Sequence, residues 1–435
     1  MVATFIGLSL TLVVSEVDLM LGVLFLLASP LRHNAEDTAV FSIAAAEVAS
    51  RWNIKEIIMS ELGELVAALV RIDSVNPDLQ PGAGGEGEIG NFVANWFRAN
   101  GIETEVQEAG LGRSNVIGIV RGTNDGRSLM LNAHIDTVGH GGMIDPLGGA
   151  IEGNKVFGRG AWDMKGSLAA IMLAARDLAA DPPAGDVIVT AVVDEEYASI
   201  GTAAIVERYT ADGAIVTEPT CLELSIAHKG FIWFDITTDG MAAHGSKPML
   251  GIDAIAKMGK VLVGLEELER RLLTGEKHPL LGTGSIHASL ITGGTELSSY
   301  PASCTLSIER RLIPGETPEA AEKELADILT AAGNDDPDFQ ATLESGLFRS
   351  PFEQTVDSDI VGVVRDTASV VTGEYPVLAG ESGWMDSAIL SAAGIPTVIF
   401  GPAGAGAHAD VEWVDVRSLE QCRLIYVAAA RAFCG

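Results

Sequence analysis

An α/β protein with a smaller α+β unit inserted into it is what this sequence predicts. Two observations carry the prediction. Residues 59–226 alternate short apolar runs with amphipathic stretches, the rhythm of strands separated by helices. Around residue 227 that rhythm changes to strand, helix, strand, strand, helix, strand, and the first pattern resumes near residue 343. A chain of 435 residues, 47% hydrophobic and with 49 glycines, is long enough for two or three domains with a large core and many tight turns.

The elements follow in chain order. Residues 1–30 hold two apolar runs broken by Glu16 and Asp18, so neither reaches the roughly 20 residues that span a bilayer. No Lys or Arg precedes Arg32, which is unlike a secretory signal. Residues 1–58 are read as an N-terminal extension of uncertain role, with export or membrane association left open beside a cytoplasmic location. From Met59, Leu62, Leu65, Val66, Leu69 and Val70 fall at helical spacing. LMLNAHID (129–136) and VIVTAVVDEE (187–196) are apolar on both faces, as central strands of a helix-covered sheet are. Between them MKGSLAAIMLAARDLAA (164–180) reads as a helix, and strand–helix–strand implies a mixed, mostly parallel sheet. In 227–342, GFIWFDITTDG is a strand with Phe231, Trp233 and Asp235 on one face. GIDAIAKMGKVLVGLEELERRL is a helix, and SIHASLI and CTLSIERRL are strands. PEAAEKELADILTAAG is a helix opened by Pro318, and FQATLES is the last strand. The order βαββαβ is that of a compact ferredoxin-like unit. Residues 343–435 return to the α/β pattern and end in PTVIFGPA and a C-terminal helix. The expected organisation is therefore 1–58, 59–226, 227–342 and 343–435, with the second and fourth segments forming one domain.

Composition excludes several functions. Lys and Arg number 28 against 59 Asp and Glu, a formal net charge of −31. Such a surface repels a nucleic-acid backbone and an anionic membrane. Cys221, Cys304, Cys422 and Cys434 show no C-x-x-C spacing, so reduced thiols are expected rather than a zinc knuckle or a disulfide scaffold.

The polar residues of interest stand just past apolar runs, where open α/β sheets bind ligands. They are His134 and Asp136, Asp163 in GRGAWDMKG, Glu195 and Glu196, Glu218 in VTEPT, and His408 in GPAGAGAHAD. Any one of them alone is more often a solvated loop residue. Together they would crowd carboxylates that repel one another unless protons or cations intervene. Two divalent metal ions would supply that charge, and imidazole and carboxylate donors without thiolate suit Zn²⁺, or Co²⁺ or Mn²⁺. A serine hydrolase is disfavoured, because Gly380-Glu381-Ser382-Gly383 lacks the G-x-S-x-G spacing.

HIDTV, GRGAWDMKG, DEE, TEP, the stretch HGSKP-x-x-G-x-D-A-I and AHAD-x-E, in that family's order, resemble the M20 metallopeptidases, a group that includes acetylornithine deacetylase, succinyl-diaminopimelate desuccinylase, aminoacylase and glutamate carboxypeptidase. The resemblance covers roughly residues 59–435. It implies a zinc-exopeptidase-like fold with a lid at 227–342, through which the chain forms a homodimer. It implies one metal on His134, Asp163 and Glu218, a second on His408, Asp163 and Glu196, and Asp163 bridging them. Asp136 would orient His134 through its carboxylate, and Glu195 would be the general base. His244 in the lid would stabilise the oxyanion, often from the partner subunit, and Arg311 would grip a substrate carboxylate. Arg310 points to the opposite face of its strand. Gly383 lies in a glycine-rich substrate loop that leads to Asp386. The implied reaction is hydrolysis of the amide bond of an N-acyl amino acid or related small amide. A dipeptidase or carboxypeptidase of the same fold is the alternative, and a binding homologue without activity is disfavoured because every ligand and the base are present. The sequence departs from the family at Gly139, where Pro is usual, and at Ser298-Ser299-Tyr300-Pro301, where Asn is common.

Overall fold

The computed structural model describes residues 54–435 apart from Asp335. The reading of residues 1–53 falls outside the described residues. Helix α1 (Ile54–Val70) begins five residues ahead of Met59. Residues Leu62–Gly435 form one compact unit, in which Leu62, Val66, Leu69 and Val70 are fully buried. Among the described residues no helix is long and apolar enough to cross a membrane.

Chain order after α1 is α2 (Gly87–Ala99), β1 (Glu103–Gly110), β2 (Arg113–Val120), β3 (Leu129–His134), β4 (Ala150–Glu152) and β5 (Lys155–Phe157). Then come α3 (Gly166–Ala180), β6 (Val187–Val192), α4 (Ile200–Arg208), β7 (Gly213–Val216) and β8 (Leu224–His228). The second rhythm follows as β9 (Gly230–Asp239), α5 (Ala254–Thr274), β10 (Ser285–Gly293), β11 (Ser303–Leu312), α6 (Pro318–Asn334) and β12 (Gln340–Arg349). The chain ends with β13 (Phe352–Glu353), α7 (Asp359–Thr372), β14 (Leu378–Glu381), α8 (Ser387–Ala392), β15 (Thr397–Ile399), β16 (Gly404–Ala405), β17 (Trp413–Asp415) and α9 (Val416–Cys434).

The large sheet has the order β1-β2-β6-β3-β7-β15-β8-β13, with β14 also on β8. Its centre, β6-β3-β7-β15, is parallel. The β1, β2 and β13 pairings toward the edges are antiparallel, as is the single bridge between β15 and β8. The sheet is thus mixed, parallel in its centre and between β14 and β8, and the central β3, β6 and β7 are buried along their whole length. Helix α3 connects β3 to β6, the crossover that a parallel pair requires.

The second sheet has the order β10-β11-β9-β12 and is antiparallel throughout. Numbered within its own βαββαβ sequence this is 2-3-1-4, the arrangement of a ferredoxin-like unit. Ile232, Phe234 and Ile236 on β9 pack with Met258, Val261 and Leu265 of α5 and Leu325 of α6. Trp233 and Asp235 stand on the other, exposed face. Helix α5 starts where the Asp253 carboxylate accepts from the Ala256 N–H at 3.0 Å. A third sheet, β16-β17-β5-β4, was not expected from the sequence. All four cysteines are free, Cys221 exposed and the others buried.

Candidate active site

Because β6, β3, β7 and β15 run parallel, their C-terminal ends lie along one edge of the sheet. His134 is the last residue of β3, and Glu195 and Glu196 follow β6 after a turn at Asp194. Glu218 follows β7, and His408 lies farther along, past β15, in the loop between β16 and β17. Asp163 comes from the turn that leads into α3, just after Gly160 with φ +77°. Asp194 and His408 are held in the left-handed region, with φ +70° and +61°. Non-glycine residues adopt it at a cost of order 1–3 kcal/mol, and it is concentrated at functional loops.

The side chains converge. His134 Nε2 lies 3.2 Å from Asp163 Oδ1 and 3.5 Å from Glu218 Oε1. His408 Nε2 lies 3.0 Å from Glu196 Oε2 and 3.5 Å from Asp163 Oδ2. Asp163 therefore offers one oxygen to each imidazole. Donor atoms of His134, Glu195 and Glu218 fall within 4.8 Å of one another, as do those of His134, Asp163 and Glu196.

Electrostatics makes this cluster short of positive charge. Burial, then Glu218 and other acids, drive the Glu195 carboxyl well above its ordinary range. Burial likewise raises Glu218 and Glu196, with Asp163 adding to both. Asp163 and Glu196 together hold His408 protonated up to about pH 10. Glu196 Oε1 is buried and makes no hydrogen bond. Nitrogen and oxygen donors, excess negative charge and an orphaned carboxylate oxygen are what divalent ions would satisfy, so the residues fit a metal site.

Asp136 faces His134 with both its main chain and its side chain. His134 Nδ1 bonds the main-chain carbonyl of Asp136 at 2.9 Å, while the Asp136 carboxylate is 3.6 Å away. That carboxylate also accepts from the N–H groups of Glu195 and Glu196, at 3.1 and 3.2 Å, and from Asn76 Nδ2 at 2.7 Å. It steadies the acid pair, because the turn after β6 brings two free N–H groups to it.

The remaining expected residues are not joined to the cluster by any hydrogen bond or ion pair among the described residues. His244 is exposed, and its Nδ1 accepts from Ser246 N–H and Oγ in its own loop. Arg311 Nε donates to Glu309 at 2.7 Å, and its guanidinium lies 5.3 Å from the Phe231 ring centre. Arg310 points the other way, buried on Glu316 and Glu324. Gly383 is exposed with open space about it. Sequence reasoning missed Asn76, which donates to both Asp136 and Asp194. It also missed the pairing of Arg159 with Glu412, buried beside the Asp163 turn; Asp386, to which the glycine-rich loop leads, is buried and its Oδ2 accepts from Thr202 at 2.6 Å. Glu412 stood inside the AHAD-x-E signal, but its partners lie about 250 residues earlier.

Comparison with known proteins agrees with this geometry. The family model for peptidase family M20/M25/M40 matches residues 130–432. The chain is 29% identical to the N-formyl-4-amino-5-aminomethyl-2-methylpyrimidine deformylase of Bacillus subtilis over 421 residues, covering 88% of this chain and 98% of that one. It is also 29% identical to the succinyl-diaminopimelate desuccinylase of Dinoroseobacter shibae, covering 86% of this chain and 100% of the other. Aminopeptidase PepT from Bacillus cereus shares the fold with a TM-score of 0.72 at 20% identity, covering 87% of this chain and 99% of that chain. With the family model matching well over half its length, the chain belongs to peptidase family M20/M25/M40 and is a hydrolase of amide bonds.

Proposed function

We propose that this hydrolase removes the acyl group from an N-acyl amino acid or a similar small amide bearing a carboxylate, using two divalent metal ions. The observation that carries the reading is Asp163, with one oxygen toward His134 and the other toward His408. In this reading His134, Asp163 and Glu218 hold one ion, and His408, Asp163 and Glu196 hold the other. Zn²⁺ is the proposed metal, with Co²⁺ or Mn²⁺ as substitutes. When bound, such ions polarise an amide carbonyl and lower the pKa of water. Glu195, beside the ligands and buried among acids, takes the proton of the attacking water and returns it to the leaving nitrogen. The deformylase and desuccinylase named above support a deacylase, and the aminopeptidase likeness keeps a peptidase as the second reading.

The second sheet with its helices is proposed as the lid and the homodimer contact. Leu290 and Ile291 on the edge strand β10 are 70% and 54% exposed, and Val263 on α5 is 66% exposed, an apolar surface that a second copy would cover. His244 would then act across that contact. Arg311 would exchange Glu309 for a substrate carboxylate, and the loop at Gly383 would border the substrate.

A panel of N-formyl, N-acetyl and N-succinyl amino acids and dipeptides, each with Zn²⁺, Co²⁺ or Mn²⁺, tests the reading. Glu195→Gln is expected to lower kcat by about 10²–10⁴-fold with both ions retained by metal analysis. Near-normal turnover in that variant, or a wild-type protein that takes up no metal, overturns it. Turnover confined to dipeptides moves the assignment to the peptidase, and a fully active monomer in sedimentation rejects the dimer.

A further inference from the structure

We propose that Glu412 is a positioning residue for the metal site, a carboxylate that gathers the turn carrying Asp163 and, with Arg159, ties it to the loop carrying His408. The inference rests on the metallohydrolase reading above. Glu412 is 1% exposed and Arg159 2% exposed. One Glu412 oxygen, Oε1, accepts from the N–H groups of Trp162 and Asp163 at 2.9 and 3.0 Å. The other, Oε2, accepts from Gly160 N–H at 3.0 Å and Arg159 Nη1 at 2.8 Å. Three N–H groups of one turn thus converge on a single carboxylate, the kind of concavity that backbone amides form around an anion.

Arg159 spends its remaining nitrogens on two other loops. Its Nε donates to the Gly139 carbonyl at 3.0 Å, and its Nη2 to the Ala409 carbonyl at 3.1 Å. Gly139 lies three residues past Asp136, and Ala409 is next to His408. The pair therefore braces the loop after β3 and the loop between β16 and β17 against the turn that carries Asp163. A buried ion pair of this kind is weak evidence for stability, because desolvation offsets the attraction. Its partners here are the main-chain groups of Asp163 itself and of the residues beside it. Asp163 is also the residue whose displacement would disturb both ions, since each of its oxygens faces a different imidazole. Fixing the Asp163 N–H fixes where that side chain starts.

The variant Glu412→Gln keeps the shape but turns an amide NH₂ toward two N–H donors. Competition titration with Co²⁺ against a chelator is expected to show about 10–100-fold weaker binding, the usual loss when a partner behind a metal ligand is removed. The absorption of bound Co²⁺ is expected to shift, because the donors around it are rearranged. A second variant, Arg159→Met with Glu412→Gln, removes both buried charges. If Glu412 positions Asp163, the double variant regains thermal stability but not Co²⁺ affinity. If stability and affinity return together, the pair is merely structural and the proposal is overturned. It is equally overturned by a Glu412→Gln protein with wild-type affinity and spectrum. A wild-type protein that binds no Co²⁺ removes the metallohydrolase reading and this inference with it, whereas wild-type binding with an unaffected variant removes this inference alone.

Discussion

His228 ends β8 fully buried, its ring 5.3 Å from Phe352 and 6.0 Å from Trp384, with Nδ1 bonded to the Lys229 carbonyl at 2.9 Å. Burial, which disfavours the charged imidazolium, pushes its pKa down to about 4. An unfolded histidine titrates near 6.5. The unfolded state therefore binds the proton first as the pH falls. The native state keeps its full stability above about pH 6.5 and loses it progressively toward pH 4, by about 2 kcal/mol at pH 5. In His228→Phe that part of the acid sensitivity should vanish, so the wild-type and variant stabilities should differ by about 2 kcal/mol more at pH 7 than at pH 5. Urea unfolding at the two pH values measures it, and parallel losses in both proteins would contradict it. The same scale holds the clearest lesson about the site. The types and positions of His134, Asp163, Glu196, Glu218 and His408 were legible because each follows an apolar run. The contact that orients His134 was not, because a main-chain carbonyl leaves no mark in a sequence.

Elements position those residues through close packing. The first turn of α4 lies against the end of β6, where a Cβ on Gly201 would meet Val193 O at 2.3 Å and Val193 N at 2.6 Å. Main chain cannot yield as a side-chain tip can. Gly201→Ala should cost about 1–3 kcal/mol by overpacking, and should lower activity because β6 leads directly into Glu195 and Glu196. Chemical denaturation with an activity assay tests both, and unchanged stability would show that the helix can slide. The βαββαβ unit and the crossover helix α3 were readable from apolar periodicity, because strands of ten residues and helices of fifteen or more leave long patterns. The third sheet was not readable. Its strands are two or three residues long, too short for alternation, and β17 reaches β5 across most of the chain. Strand direction was legible only in part, since burial marks the parallel centre but not the antiparallel edges.

The whole molecule carries a formal charge of −31, and the proposed ions neutralise only the acids of the cluster. The rest is an acidic surface that opposes the approach of an anionic substrate. For an N-acyl amino acid, kcat/KM is expected to rise as salt is raised from about 10 mM to about 150 mM, where the screening length falls from roughly 30 to 8 Å. A neutral amide analogue should show no such rise, and a fall with salt for the anion would mean that positive groups steer it from a distance. Sequence alone determined the fold class, through apolar periodicity, and through its motifs the resemblance to the M20 metallopeptidases, and it marked the candidate donor residues, because periodicity, motifs and residue types are local properties of a chain. Tertiary structure decided which carboxylate faces which imidazole, that Asp136 holds the acid pair, that Arg311 is engaged by Glu309, and that Glu412 grips the Asp163 turn from 249 residues away. Those contacts join groups brought together only by the packed sheet and its loops, and hydrogen bonds depend on distance in space, not on separation along the chain.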